Sequence, residues 1–481
     1  MLKSSLLEIL RTFSKQELIK FEDFVRSPYF NKKDNVVKLF LILKNHFPDL
    51  NDAGLEKEKV WGKLFPDISY NYGIFKNLIF DLSKLAEKFI GIGNYESKKF
   101  EQDINLLEEL NDRNLLQSYQ KNLKILKDEA GKSEFSLNNF YYKYFAEVKE
   151  QNFLFHRGSS KDDNFCNPEK MNEFLTANFL INFFAKNYNF IHQSKFYNIQ
   201  LNTAITDSVI EFFEKSSLVK NELVLIYYLT LKIVKDTEDV DSFLKLKELL
   251  KNNFEKFSHK EKFNLHMALV NFCNFKMMKG DTRFVNELFD IYRVMIEYGF
   301  YNTGSYKYIN PSMYANIVSI AGNLKQFEWA EKFIIDFSHK LHDNNKELYF
   351  CLANAALNIK KGNFNEALDF LSKCKSVEAI EKITIKRFQI MIYYESGYFE
   401  ELYSLIDASR HFISNDSKVT DSAKKIFSNF LLFVQRLADV KSENNKTKDI
   451  SYDLKKIRKE LSEVDVTNKI WLFEKTEQLE K

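Results

Sequence analysis

The chain has 481 residues, of which 45% are hydrophobic, so it is long enough for more than one domain and can bury a substantial core. Its 13 glycines and 5 prolines are too few for the turns of a sheet-rich fold, which predicts an all-α protein of helices joined by short polar loops. The 70 basic and 67 acidic side chains are interspersed and leave a net charge of only +3, which argues against the concentrated positive field of a nucleic-acid-binding protein.

Residues 1–95 are predicted to form a separate N-terminal helical module, because three of the 5 prolines lie in the first 66 residues. The second predicted helix opens with a capping box, since Ser14 is followed three residues later by Glu17. The last helix carries a broad apolar stripe, and Gly91 and Gly93 are expected to end it and close the module. Besides the helix opened by Ser14, the predicted helices cover residues 3–13, 34–46, 57–65 and 72–90.

Two features of the sequence predict a cytoplasmic protein that does not enter a membrane. Glu8 and Arg11 interrupt the first apolar run, which favours an amphipathic helix over a secretory signal, and no stretch approaches the ~18 apolar residues of a membrane span. The four cysteines are widely spaced and form no C-x-x-C pair, which indicates buried or incidental thiols in a reducing compartment. They are Cys166, Cys273, Cys351 and Cys374.

Residues 96–440 are predicted to form a body of antiparallel helices, because short polar breaks separate segments with helical spacing of apolar residues. The longest polar stretch, residues 156–167, is interpreted as a surface loop, with a flexible excursion as the alternative. The chain also contains 47 phenylalanines and 24 tyrosines, which we interpret as core filling between packed helices and not as a platform for stacking a ligand. Examples at helical spacing are Phe179, Phe183, Phe184 and Phe190.

The clearest internal repeat lies within residues 270–410. A short loop, an aromatic residue and a small or apolar residue recur around Ala330, Ala367 and Leu402, at spacings of 37 and 35 residues. A weaker fourth copy starts at Gly280. Small residues let two helices cross closely, and a glycine in the turn can adopt the left-handed conformation that ends a helix. The positions that carry the repeat are Gly280, Ala330, Ala355, Gly362, Ala367, Cys374 and Gly397.

The repeat resembles the tetratricopeptide-repeat superfamily, whose period is about 34 residues. Units of that family carry a glycine in the turn and two small residues at fixed positions after it, which Gly362, Ala367 and Cys374 match. The resemblance implies an all-α helical-repeat solenoid that follows the N-terminal module, and it implies a protein-binding scaffold. We therefore expect another protein or a peptide to bind on the solenoid surface.

Residues 441–481 are predicted to form a charged linker and one amphipathic helix that caps the last repeat. The alternative is a free helix that pairs with a second copy of the chain. The apolar stripe of this segment consists of Ile450, Leu454, Ile457, Leu461, Val464 and Trp471.

The N-terminal module offers an alternative function. Residues 57–89 resemble the helix-turn-helix of bacterial activators that join a winged-helix domain to tetratricopeptide repeats, which implies a DNA-binding regulator. The wing should follow as a pair of strands, whereas residues 91–94 are predicted to lead into another helix. Four side chains at the start of the second helix would contact the bases: Asn71, Tyr72, Lys76 and Asn77.

Residues 6–30 carry a second resemblance, to the opening of death-fold adaptor domains of the pyrin type. The same segment is also similar to the start of uncharacterised bacterial proteins with helical-repeat bodies, and that resemblance implies no function.

No pattern in the sequence predicts an enzyme, a cofactor or a metal. The glycine-rich phosphate-binding patterns and the G-x-S-x-G pattern of serine hydrolases are both absent. His339 and His342 lie three residues apart, and His259 and His266 seven apart, but no third ligand accompanies either pair. All four are interpreted as ordinary core or surface histidines.

Overall fold

The computed structural model describes residues 4–48, 50, 53–132, 135–156, 167–197, 199–304, 307–375, 378–417, 419–442 and 450–480. Within these ranges the chain forms 23 α-helices and no β-strand, which confirms the all-α prediction. Most of the loop expected at residues 156–167 and most of the linker that begins at residue 441 lie outside the described residues, as does Cys166.

The helices belong to two compact units. The first contains α1 (Ser5–Arg11), α2 (Lys15–Arg26), α3 (Asp34–Lys44), α4 (Lys57–Leu64), α5 (Tyr72–Glu96), α6 (Lys99–Asp112), α7 (Leu116–Gly131) and most of α8 (Asn139–His156). The second contains the start of α8 and all of the following helices: α9 (Pro168–Tyr197), α10 (Ala204–Lys215), α11 (Glu222–Lys235), α12 (Val240–Asn252), α13 (His259–Met278), α14 (Arg283–Glu297), α15 (Pro311–Asn323), α16 (Phe327–Phe337), α17 (Asp343–Lys361), α18 (Phe364–Ser372), α19 (Ala379–Ser396), α20 (Phe399–Asn415), α21 (Asp421–Lys441), α22 (Ile450–Glu463) and α23 (Lys469–Glu480).

The first unit contains the five N-terminal helices that the sequence predicts. The capping box of α2 is confirmed, because the Glu17 amide donates to Ser14 Oγ at 3.1 Å and the Ser14 amide donates to the Glu17 carboxylate at 2.7 Å. The core packs rings from three helices together, and Phe21 contacts both Phe40, at 5.0 Å between centroids, and Phe89, at 5.2 Å.

The expectation that Gly91 and Gly93 end the fifth helix is wrong, since α5 continues through both to Glu96. A glycine inside a helix costs only about 0.5–1 kcal/mol. The packing of α5 against α1, α2 and α3 outweighs that cost, because the buried side chains of α5, among them Phe75 and Leu82, join the core of the unit.

Four turns of the second unit share one backbone geometry. Gly280, Lys325, Gly362 and Gly397 have left-handed φ angles of 92°, 58°, 81° and 74°. In each turn the next amide donates to the carbonyl five residues earlier, at 2.9–3.0 Å, as the Asn363 amide does to the Asn358 carbonyl. These are Schellman motifs, which end one helix and let the next begin a few residues later. The turns therefore recur where the sequence repeat places them, and a lysine occupies the glycine position in one of them.

The small residues of the repeat lie buried between helices. Ala330, Ala355 and Ala367 are inaccessible to solvent, as is Leu402, which takes the alanine position of the last copy. The Cys374 thiol, just after α18, contacts the Phe370 carbonyl at 3.5 Å. Helix α15 packs on both α16 and α17, α17 on both α18 and α19, and α19 on both α20 and α21.

The interpretation of the aromatic side chains as core filling holds for only some of the phenylalanines of α9. Phe184 is buried and Phe183 packs at the edge of the core, but Phe179 and Phe190 are 49% and 56% exposed, so core filling is wrong for these two. The reason is helical periodicity: Phe179 and Phe190 are eleven residues, or about three turns, apart, which places them on one face, away from that of Phe184.

The single helix predicted for the C-terminal segment is wrong, because the segment forms two helices, α22 and α23. The chain turns between them, and Asn468 there has a left-handed φ of 54°. Leu454, Ile457 and Leu461 are buried as the apolar stripe requires, and α22 packs on α21. Helix α23 contacts α13 as well as α21, so this segment packs on more than the last helix pair.

A buried histidine makes the stability of the second unit depend on pH. Burial lowers the pKa of His266 to about 4, although its Nδ1 lies 2.7 Å from the Lys262 carbonyl oxygen. Between pH ~6.5 and 4 the unfolded chain binds a proton here that the folded chain does not, so folding stability falls as the pH is lowered, by about 3 kcal/mol at pH 4.

We therefore expect His266→Leu to remove this part of the pH dependence. Urea unfolding of wild type and variant at pH 7 and at pH 4 measures this pH dependence. The difference in free energy of unfolding between wild type and variant should change by about 3 kcal/mol, to the disadvantage of wild type, when the pH is lowered from 7 to 4. The exposed His259, replaced in the same way, is the control for losing a histidine outside the core. Parallel pH profiles for wild type and His266→Leu would contradict the prediction.

Candidate ligand-binding cavity

The second unit contains a cavity of about 300 Å³. Its walls come from α13, α15, α17 and α19, which are the first helices of consecutive pairs, and from the turn that leads into α23. Because alternate helices of the chain pack side by side, residues distant in sequence meet at one place.

Arg387, on α19, is the most unusual residue of the wall. Its Nη1 donates to Thr467 Oγ1 at 2.6 Å, whereas its Nε is buried and has no hydrogen-bond partner among the described residues. No carboxylate of the described residues forms an ion pair with it. Burial lowers the pKa of the Arg387 guanidinium to about 10, which still leaves it charged at neutral pH. The cavity therefore contains a positive charge that no described acidic side chain neutralises.

Lys360, on α17, adds a second cation. Its aliphatic stem packs closely on α15, since a Cβ placed on Gly322 would lie 3.1 Å from Lys360 Cγ. Its ammonium group makes no hydrogen bond or ion pair with a described residue, and burial lowers the pKa of Lys360. Two carboxylates, Glu474 and Glu395, act on the Lys360 ammonium through space without forming an ion pair with it, and both work to raise its pKa against the effect of burial. The Glu395 carboxylate is engaged by Lys475, at 2.5 Å, and by the Trp471 indole N–H, at 2.8 Å.

The remaining polar groups of the wall are mostly neutral. Glu381 is its one acidic residue, and its carboxylate is engaged by the Tyr349 hydroxyl, whose pKa is raised chiefly by burial and further by Glu381. A third basic residue, Lys469, is satisfied by backbone carbonyls, to which its ammonium donates at 3.0 and 3.1 Å. The neutral polar residues are Asn274, Ser312, Asn316, Ser319, Asn323, Thr384, Thr467 and Asn468.

The start of α23 forms one side of the cavity. The Leu472 amide is bonded to the Asn468 carbonyl at 3.0 Å, and the amides of the first turn before it have no acceptor within the helix. The turn is held from outside by Asp465, whose carbonyl accepts from Asn429 Nδ2 at 2.9 Å and whose carboxylate lies 3.5 Å from Lys279. The positive end of a helix dipole therefore adds to the field of the two cations.

The residues singled out in the sequence lie elsewhere. None of the repeat positions lines the cavity; they form turns and helix crossings. The four proposed base-contacting residues are exposed and meet at the first two turns of α5 in the first unit, where Asn71 caps the helix by accepting from the Ile74 amide at 3.1 Å. Residues 91–96, where a wing would follow, are helical.

Arg387 and Lys360 were missed in the sequence, although one signal points to Arg387. It lies four residues after Ile383 and three before Ile390, so a charged residue occupies the apolar stripe of α19. A charge at such a position must find a partner or a ligand when the helix packs. No sequence signal indicates that Arg387 and Lys360 share a cavity.

Comparison of the chain with models of protein families, with curated proteins and with solved structures gave no match. The function is therefore inferred from the cavity and the packing around it. Within the described ranges, no helix combines the length and apolar character needed to cross a bilayer. In that same part of the chain, no three His, Cys, Asp or Glu side chains converge as a metal site would require. His342 accepts instead from the Asn344 amide at 3.3 Å.

Proposed function

We propose that the chain is a non-catalytic scaffold whose second unit is a tetratricopeptide-like solenoid that binds another protein or a peptide. The observation that carries this proposal is the convergence of α13, α15, α17 and α19 on one cavity, because stacked helix pairs align their first helices along a common surface. The four recurrent turns support the same arrangement. The unpaired thiols of Cys273, Cys351 and Cys374 support a cytoplasmic location.

The rim of the cavity offers an apolar anchor for a partner. Ile380 of α19 lines the cavity and is nevertheless 56% exposed. An exposed isoleucine beside polar side chains can bury its surface only when a partner covers it, and such residues contribute much of the affinity at protein interfaces.

We expect Ile380→Glu to reduce the recovery of a bound partner at least tenfold, because a carboxylate at the centre of an interface must be desolvated. The full-length, tagged protein is used to capture partners from native lysate at low salt, and mass spectrometry measures their stoichiometry. Ile335→Glu is the matched control, since Ile335 is 70% exposed on α16 and does not line the cavity.

Recovery of one stoichiometric partner by wild type and Ile335→Glu, but not by Ile380→Glu, supports the proposal. Two results would contradict it: no stoichiometric partner at low salt, or equal loss of the partner with both variants. Circular dichroism of the three proteins verifies that their helical content is the same.

DNA binding by α4 and α5 is the second candidate function, and one observation favours it. Asn71, Tyr72, Lys76 and Asn77 are all exposed at the start of α5, where a recognition helix would contact bases. The helical conformation of residues 91–96 leaves no strand pair there to serve as a wing. A DNA-binding first unit would shift duplex DNA with a steep dependence on salt, and absence of retention at low ionic strength would exclude it.

A further inference from the structure

We propose that the cavity between α15, α17, α19 and the start of α23 binds a small, water-soluble compound that carries a phosphate or carboxylate group. Arg387 and Lys360 would hold the anion, and the neighbouring asparagine and serine side chains would contact the rest of the compound. This inference does not depend on the proposed protein-binding function, because the anion would bind to the chain alone.

The charges of the wall indicate an anion. Burying a cation without a partner is costly, so a buried arginine normally meets a carboxylate or a phosphate. Among the described residues, Arg387 makes one hydrogen bond, to a neutral hydroxyl, its guanidinium lies 5.2 Å from the centroid of the Phe388 ring, and its buried Nε has no partner. Lys360 likewise makes no hydrogen bond or ion pair with the described residues. The single acidic residue of the wall, Glu381, is engaged by Tyr349.

The groups around the two cations complement an oxyanion. Helix α23 is 12 residues long, and its first turn forms part of the wall. The amides of this turn lack acceptors within the helix. Thr467, which precedes this turn, accepts from Arg387, so the guanidinium is held close to the helix terminus. An anion placed here would lie in the cavity that both basic side chains line, beside the positive end of a helix dipole.

The size of the cavity favours a small molecule. Its volume of about 300 Å³ lies at the lower end of the range of small-molecule sites, about 300–1,000 Å³. Neutral amide and hydroxyl groups from Asn274, Asn316 and Ser319 also line the cavity, and such groups orient a polar ligand by hydrogen bonds. The compound would therefore combine an anionic group with further polar groups, as sugar phosphates and hydroxy acids do.

Binding would also stabilise the C-terminal segment. Lys360 and Arg387 belong to α17 and α19, whereas Thr467 and Asn468 precede α23, so an anion between them would link the two parts of the unit. Ligands that bind only the folded state raise its free energy of unfolding, and this increase grows with the logarithm of their concentration above Kd. The unfolding temperature is therefore a suitable readout.

The experiment measures the unfolding temperature of the full-length protein in inorganic phosphate and, separately, in citrate, each against sodium chloride of equal ionic strength. We expect a rise of several degrees at concentrations well above Kd. A rise with phosphate alone that the cavity substitutions described next abolish identifies a phosphate compound, and such a rise with citrate alone identifies a carboxylate compound. No rise above that in chloride with either anion overturns the proposal.

Substitutions assign the effect to the cavity. Arg387→Gln and Lys360→Gln are each expected to raise the apparent Kd for the effective anion about tenfold or more, because each removes a charge-assisted hydrogen bond. Lys386→Gln is the matched control: it makes the same change in charge next to Arg387, at a residue that does not line the cavity, and it should keep the wild-type response.

Arg387→Gln also tests whether Arg387 has only a structural role. Without added anion this variant should unfold at the wild-type temperature or higher, because it loses a buried charge that lacks a carboxylate partner. A structural role predicts a large drop instead. If Arg387→Gln does not fold, the response of Lys360→Gln decides the matter. A wild-type anion response in the folded variants overturns the proposal.

Discussion

Replacing Trp471 with alanine is expected to lower the free energy of unfolding by about 3–5 kcal/mol, which is typical for loss of a buried tryptophan. Trp471 is buried where α23 meets α19 and α21. Its ring centroid lies 5.4 Å from that of Tyr394 and 6.2 Å from that of Phe430, and its indole N–H donates to Glu395 at 2.8 Å. Alanine would leave a cavity and remove one of the two groups that engage the partly buried Glu395 carboxylate.

Two measurements test the effect of Trp471→Ala. Urea unfolding gives the change in free energy, and amide hydrogen exchange shows whether protection is lost first in α22 and α23. Ile450→Ala is the control in the same C-terminal segment, because Ile450 is about half exposed, and it should change stability by less than about 0.5 kcal/mol. A loss below about 1 kcal/mol for Trp471→Ala would show that α23 contributes little to the stability of the unit.

The second large effect is expected at Phe243 in α12, where alanine should also cost about 3–5 kcal/mol. Phe243 is inaccessible to solvent, stacks on Phe272 with 4.8 Å between ring centroids, and meets Phe284 edge-on at 5.5 Å. These three rings belong to α12, α13 and α14, so one side chain joins three helices. The substitution tests whether the abundant phenylalanines are core residues.

The adjacent Leu244 is the matched control for Phe243→Ala. It lies on the same helix, is 49% exposed, and its replacement by alanine should cost less than about 1 kcal/mol. Urea unfolding followed by circular dichroism measures both variants. Equal losses for Phe243→Ala and Leu244→Ala would mean that helix propensity, and not burial, determines the effect.

Local signals made much of the helical structure predictable. The capping box at Ser14 and Glu17 is a contact between residues three apart, so it depends little on the rest of the fold. The glycine turns at 362 and 397 are local in the same sense. The turn at Lys325 has the same left-handed geometry without a glycine, so a search for glycine alone would miss it.

The errors came where packing outweighed a local signal. Gly91 and Gly93 favour a break, but the contacts of α5 hold the helix through both. In the C-terminal segment the apolar spacing correctly identified Leu454, Ile457 and Leu461 as buried in α22, but it was wrong for Ile450, which is 48% exposed. The turn at Asn468 also interrupts a stripe that the sequence continues to Trp471. The exposed side chains of Phe179 and Phe190 follow from which face of α9 packs on α11, and the sequence does not specify that face.

The sequence by itself determined that the chain is helical, where several of its turns lie and which small residues allow close crossings, because these depend on composition and on contacts a few residues apart. Which residues line the cavity depends on the tertiary structure alone. Lys360, Arg387 and Thr467 are separated by 27 and 80 residues, and only Arg387, as a charge in the apolar stripe of α19, stands out in its own segment. They line one cavity because α17 packs on α19 and the chain returns at α23, which sequence spacing does not encode.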